Sequence, residues 1–170
     1  AIQLARAFGA KVFTTVGSDE KCIKTKTLGA ELSINYKKQD FAEEINHYTN
    51  KKGVNMILDM IGAEYFDKNL NILSVNGKLV IIAFQGGFEK KLNLLPILTK
   101  RLTVTGSTLR PRSPNEKGII AESLIKKVWP LIEKGVVMPQ IYGTYKLEDA
   151  SKAHTLMESS QHIGKIVLTV

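Results

Sequence analysis

The chain has 170 residues, 44% of them hydrophobic and 24% charged, with a formal net charge of +8. That length supports one domain with a sizeable core, and the composition excludes a disordered or fibrous chain. No apolar run approaches the roughly eighteen residues of a membrane span, and no signal-peptide pattern is present. The lone cysteine, Cys22, excludes an internal disulfide and fits a reducing, cytoplasmic setting. Lysines alternate with acids, as in "KCIKTKTLGAE" and "KKQDFAEE", so the basic balance reads as a solvated surface rather than a nucleic-acid tract.

The opening "AIQLARAFGA" places Ala1, Leu4, Ala5 and Phe8 on one helical stripe, and Gly9 supplies a stop. A chain that begins inside a helix and without methionine reads as part of a longer one. Lys11 to Thr15 follows as a strand, and Ser18 to Leu28 as a helix with Ser18 at its N-cap. "LSINY" (Leu32 to Tyr36) is a second strand, then a helix runs from about Asp40 to Tyr48. "VNMILDM" (Val54 to Met60) is nearly continuous in apolar residues and reads as a strand buried on both faces. A helix over about Ala63 to Leu73 and a buried strand "GKLVIIAF" (Gly77 to Phe84) come next.

Beyond "QGGFEKKLN", a loop, lie a short helix at Leu94 to Thr99 and a strand from Leu102 to Ser107. The prolines and glycine of "TLRPRSPNEKG" read as a loop. Ile119 to Lys134 is a long helical pattern that Pro130 must kink or end. An extended piece closes at Leu147, Glu148 to Glu158 is helical, and "GKIVLTV" (Gly164 to Val170) is a terminal strand. The β-α-β-α rhythm predicts an α/β fold: a Rossmann-like, doubly wound parallel sheet with helices on both faces.

In such sheets ligands bind beyond the carboxyl ends of the strands. The turn "VFTTVGSDEK" stands at one of those ends and has no acid at the strand tip. A phosphate there would meet the Ser18 hydroxyl, a helix N-terminus and Lys21. The same residues also fit a plain cap, with Asp19 and Glu20 complementing the helix dipole and Lys21 solvated. No G-x-G-x-x-G turn occurs anywhere in the chain, so the expected fold lacks its first strand and glycine-rich loop. Cys22, His47, His154 and His162 have no partners at metal-ligand spacing, so no metal site is expected.

Several stretches together carry a resemblance: "AIQLARAFGAKVFTTVGSDEKC", "LGAELSINYKKQDFAEEI", "GVNMILDMIGAEYFDKNL", "GKLVIIAFQGG" and "HIGKIVLTV". Over its whole length the chain resembles the cofactor-binding half of zinc-independent, zeta-crystallin-like quinone oxidoreductases of the medium-chain dehydrogenase/reductase superfamily. That resemblance implies NADPH as hydride donor and a quinone or activated enone as acceptor. It also implies that Gly17, Ser18, Lys21 and Tyr36 surround the adenosine 2′-phosphate and that Gly62 lies beside the adenosine end. Phe84 and Gly86 then line the nicotinamide side, with Ser107 and Thr108 in a later cofactor-facing segment.

The resemblance further implies an N-terminal catalytic domain outside this sequence, to which residues 164–170 return, and homodimers formed through a sheet edge. On that basis these 170 residues alone are expected to be inactive and to contain no catalytic side chain. RNA binding, known among such relatives, has no recognition motif here. Two other classes fit the sheet pattern: a non-catalytic nucleotide- or RNA-binding module, and an S-adenosylmethionine-dependent methyltransferase. The latter usually carries an acid at the second strand tip, which this chain lacks.

Overall fold

A computed structural model describes residues 1–170. Its seven strands are hydrogen-bonded in three groups, β1 with β2, β3-β4-β5, and β6 with β7, and the pairs β3–β4, β4–β5 and β6–β7 run parallel. The chain divides into two compact units, Ala1–Ser33 with Ala121–Val170, and Ile34–Ile120.

The first unit holds α1 (Ile2–Ala7), β1 (Phe13–Val16) and α2 (Asp19–Thr27). Ser18 caps α2 as the sequence predicts, its hydroxyl accepting the Lys21 N–H at 3.2 Å. Strand β1 begins two residues later than expected. β2 (Leu32–Asn35) starts in this unit, and Ser33 joins its hydroxyl to those of Thr14 (3.1 Å) and Thr25 (2.7 Å), so the strands and α2 meet through a small polar cluster.

A single long helix is expected near residues 119–134, but two occur. α6 (Pro114–Lys127) ends before Val128, and α7 (Trp129–Glu133) restarts with Pro130 in its first turn. Proline has no N–H to continue the ladder, so the chain breaks where the sequence placed a kink. α6 also starts four residues before Gly118, inside the segment read as a loop. Ser113 and Glu116 form a capping box there: the Ser113 N–H donates to Oε2 of Glu116 at 2.8 Å, and the Glu116 N–H donates back to Oγ of Ser113 at 3.3 Å. The start of α6, to Ile120, belongs to the second unit, and its remainder, α7, β6 (Ile141–Lys146), α8 (Ala150–Glu158) and β7 (Lys165–Thr169) complete the first.

The second unit carries α3 (Phe41–Tyr48), β3 (Val54–Asp59), α4 (Phe66–Ile72), β4 (Leu73–Ile81), α5 (Leu95–Thr99) and β5 (Thr103–Gly106). Phe66 and Leu70 of α4 pack with Leu73, Leu79 and Leu102, and Ile57, Ile81 and Ile97 close around them. Strand periodicity puts Ile57 and Asp59 on this inner face and Met56 and Leu58 on the other. The latter two are 61% and 57% exposed, so β3 is not buried on both faces as its apolar run suggested. Continuous hydrophobicity states which residues tolerate cover, and these two stay mostly exposed.

Helix α4 is shorter than its pattern. The N–H groups of Ala63 and Glu64 donate to the carbonyls of Gly87 and Gly86, which delays the helix until Phe66. At the other end Leu73 leaves the helix directly into β4. Three carbonyls of that junction, those of Leu70, Asn71 and Leu73, accept from Nζ of Lys100 at 3.1, 2.8 and 3.0 Å. Burial pulls the Lys100 ammonium below its usual pKa.

Candidate functional site

Parallel strands deliver their chain ends to one side of a sheet, and in the second unit that side is built around Asp59. This residue ends β3 and is 4% exposed. A buried carboxylate needs donors, and two backbone groups meet it: the Ile61 N–H on Oδ1 and the Gly62 N–H on Oδ2, each at 2.9 Å. Asp59 therefore fixes the turn that follows β3.

That turn is zipped to the loop after β4. Gln85 and Gly86 donate their N–H groups to the carbonyls of Met60 (3.0 Å) and Ile61 (2.7 Å). Ala63 and Glu64 donate in return to Gly87 (2.8 Å) and Gly86 (3.3 Å). Such an approach leaves no space for side chains at the seam. Gly62 has φ +85°, and a Cβ there would lie 2.7 Å from the Gly87 carbonyl oxygen and from Cδ1 of Phe84. A Cβ on Gly86 would meet Cγ2 of Ile61 at 2.7 Å. Gly62, expected beside the adenosine end, and Phe84 and Gly86, expected on the nicotinamide side, thus meet in one seam.

Beside the seam opens a cleft of about 340 Å³, within the range of small-molecule sites. Its apolar walls are Tyr36, just after β2, with Phe41, Ile61 and Tyr65. Phe41 and Tyr65 stack at a tilt, centroids 4.8 Å apart. Its polar groups are the amides of Gln39 and Gln85, the Glu64 carboxylate and the Lys68 ammonium. Lys68 is already committed: Nζ lies 2.6 Å from Oδ2 of Asp40 and 5.6 Å from the centre of the Phe41 ring. Asp40 caps α3 with its other oxygen, which accepts the Ala42 N–H at 2.8 Å. The Lys68 hydrogen bond holds the Asp40 carboxyl below its usual range, and Asp40 holds the Lys68 ammonium above its own. Burial, followed by the charge of Glu64, raises the Tyr65 phenol.

The turn at Gly17 and Ser18 belongs to the first unit. Ser18 serves α2, and the ammonium of Lys21 donates to the Ser160 carbonyl just beyond α8, an exposed contact that suits a cation at a helix C-terminus. Ser107 donates its N–H to the Ile81 carbonyl at 2.9 Å at the carboxyl end of β5.

Sequence reasoning passed over Glu64, Tyr65 and Lys68. Asp40 and Lys68 are 28 residues apart, and only the docking of α3 on α4 joins them. "AEY" after the "DMIG" turn was the available signal for Glu64 and Tyr65.

Parallel β-α units with a cleft at the strand carboxyl ends define the class of doubly wound, nucleotide-binding α/β proteins. Residues 1–124 match the family described as "Zinc-binding dehydrogenase", and the chain belongs to that family. It is 32% identical over 166 residues to a 2-haloacrylate reductase of Burkholderia sp, an alignment covering 96% of this chain and 49% of that protein. Against the quinone oxidoreductase of Rattus norvegicus the identity is 31% over 167 residues, covering 98% and 49%.

Among solved structures, the quinone oxidoreductase of Escherichia coli complexed with NADPH superposes with a TM-score of 0.81 at 28% identity, covering 98% of this chain and 52% of that one. An NAD-dependent alcohol dehydrogenase superposes at 0.84 and 30% identity, covering 100% and 47%. The fold is thus Rossmann-like, as predicted. The chain spans about half the length of the curated relatives it matches. The family description names zinc, yet no three His, Cys, Asp or Glu side chains gather here in a metal-binding group, and no zinc-dependent step is assigned to these residues.

Proposed function

We propose that this chain is the cofactor-binding part of a reductase that transfers hydride from NADPH to a quinone or related activated enone. The observation that carries this reading is the cleft at the carboxyl ends of β3 and β4, with its aromatic walls and glycine seam. When bound, NADPH supplies the hydride, and the residues of this chain bind and orient it and exclude water. Gly62 and Gly86 let the backbone come close to a ligand, Phe84 flanks the seam on the nicotinamide side, and Tyr36 offers a ring to the cleft and a hydroxyl to the 2′-phosphate.

In the first unit, Gly17, Ser18 and Lys21 are assigned to that phosphate. The strand tip "TVGS" is neutral, so the extra charge meets no carboxylate there. Lys21 would exchange one exposed carbonyl for a dianion, which favours the phosphate. Solved relatives titled for NAD and for NADPH both superpose on this chain, so the preference for NADPH rests on Gly17, Ser18, Lys21 and Tyr36.

Titration of the full-length protein that carries this chain with NADPH and NADH tests it. About tenfold tighter binding of NADPH, or about 1.4 kcal/mol, is expected, with the difference reduced by Lys21→Ala and by Tyr36→Phe. Equal affinities for the two dinucleotides would remove the phosphate assignment.

A further inference from the structure

We propose that Glu64 sets the base specificity of the cleft, its carboxylate accepting a hydrogen bond from the exocyclic amine of adenine and turning away a purine with a keto oxygen in that place. The proposal rests on the cleft being the seat of a dinucleotide's base. Three observations within Ile34–Ile120 lead to it. The first is shape and polarity: Tyr65, Phe41 and Ile61 present flat or apolar surface, which suits the faces of a heteroaromatic ring. The second is charge. Of the two charged side chains on the walls, Lys68 is neutralised by Asp40, whereas the Glu64 carboxylate has neither a hydrogen bond nor an ion pair to another group of the chain. The third is placement. Oε2 of Glu64 lies 3.0 Å from the point a Gly86 Cβ would occupy, so the carboxylate rests over the bare backbone of the seam. The Glu64 N–H, bonded to the Gly86 carbonyl at 3.3 Å, anchors it there.

An ionised carboxylate only accepts hydrogen bonds. It disfavours a phosphate in direct contact with it, and it welcomes an amine. The 6-amino group of adenine is such a donor, and the amide of Gln85 on the same wall can donate to a ring nitrogen. Hypoxanthine replaces the amine with a keto oxygen, which sets acceptor against acceptor. Glu64 is exposed, so the discrimination is moderate rather than absolute.

The test compares NADPH with its hypoxanthine counterpart, titrated against the full-length protein that carries this chain and against its Glu64→Gln and Glu64→Ala variants, with nicotinamide fluorescence as readout. NADPH is expected to bind the unaltered chain about tenfold tighter than the hypoxanthine dinucleotide, consistent with one charge-assisted hydrogen bond. In Glu64→Gln, whose amide can donate to the keto oxygen, and in Glu64→Ala, the ratio should fall to about threefold or less at an unchanged thermal midpoint. A purely structural role for Glu64 would weaken both dinucleotides together and leave their ratio alone. NADPH binding with the ratio unaltered in both variants overturns the base assignment and leaves the cofactor proposal standing. Absence of binding by either dinucleotide to the unaltered full-length protein that carries this chain overturns both.

Discussion

The two ends of the β3-β4-β5 sheet satisfy their backbone in opposite ways. At the carboxyl ends, peptide groups of one loop bond peptide groups of the other, glycines keep the seam closed, and a cleft remains with an unpaired carboxylate in its wall. At the amino ends a side chain does the same task. Lys100 gathers three carbonyls of the α4–β4 junction, and Nε of Arg101 donates to Oδ1 of Asn76 at 3.0 Å. Asn76 and Arg101 both hold positive φ, at 62° and 51°. There Lys100 and Asn76 spend their polar atoms on holding the chain. Binding and stability are therefore separable along a single sheet.

Substitutions can break that separation or sharpen it. The largest effect is expected from Gly62→Ala, which combines an unfavourable φ with two 2.7 Å contacts against backbone and ring. A loss of roughly 2–3 kcal/mol in urea unfolding should accompany weaker dinucleotide binding, because seam and cleft share these residues. Lys100→Met comes next. Loss of a charged donor to three carbonyls should cost about 2 kcal/mol in the same measurement, with dinucleotide affinity at low denaturant unchanged. A parallel loss of affinity in Lys100→Met would contradict the division between the ends.

The smallest effect is expected at Asp40–Lys68, a pair about one-third and one-half exposed. Lys68→Met should cost at most about 1 kcal/mol near neutral pH. Its pH dependence follows from the depressed Asp40 carboxyl. The pair contributes fully above the ordinary carboxylate value near 3.8, and the contribution fades as pH falls through the lower folded value. The gap between unaltered and Lys68→Met chains, followed by thermal melts, should therefore stay constant from pH 7 to about 5 and close below about 4. A gap that persisted at pH 2 would assign Lys68 a packing role instead.

Much of the architecture was legible because local chemistry and tertiary outcome agree. Ser18 and Asp40 cap the helices they precede, and Pro130 interrupts the helix it sits in. The start of α6 is equally local, since Ser113 and Glu116 have capping-box spacing with a proline between them, but the prolines of that stretch point to a loop. Other features were not local at all. The late start of α4 depends on carbonyls 22 to 24 residues further on, at Gly86 and Gly87. The exposure of Met56 and Leu58 depends on what covers the far side of β3, which a run of apolar letters cannot specify.

The site divides similarly. Glycines such as Gly62 and Gly86 announce themselves by type, whereas Lys68 and Glu64 look like any surface charges until α3, α4 and the two loops meet. Lys21 marks the limit of reading chemistry from composition. Its proximity to a neutral turn was visible, and its bond to Ser160, 139 residues away, was not.

The interlocked turns after β3 and β4 also bear on how such a chain can change over evolutionary time. Each supplies donors and acceptors at fixed spacing to the other, so an insertion or deletion in residues 60–64 would strand partners in residues 84–87. Length variation in the two segments should consequently be inherited together, and a graft that transplants one without its counterpart should fail to close.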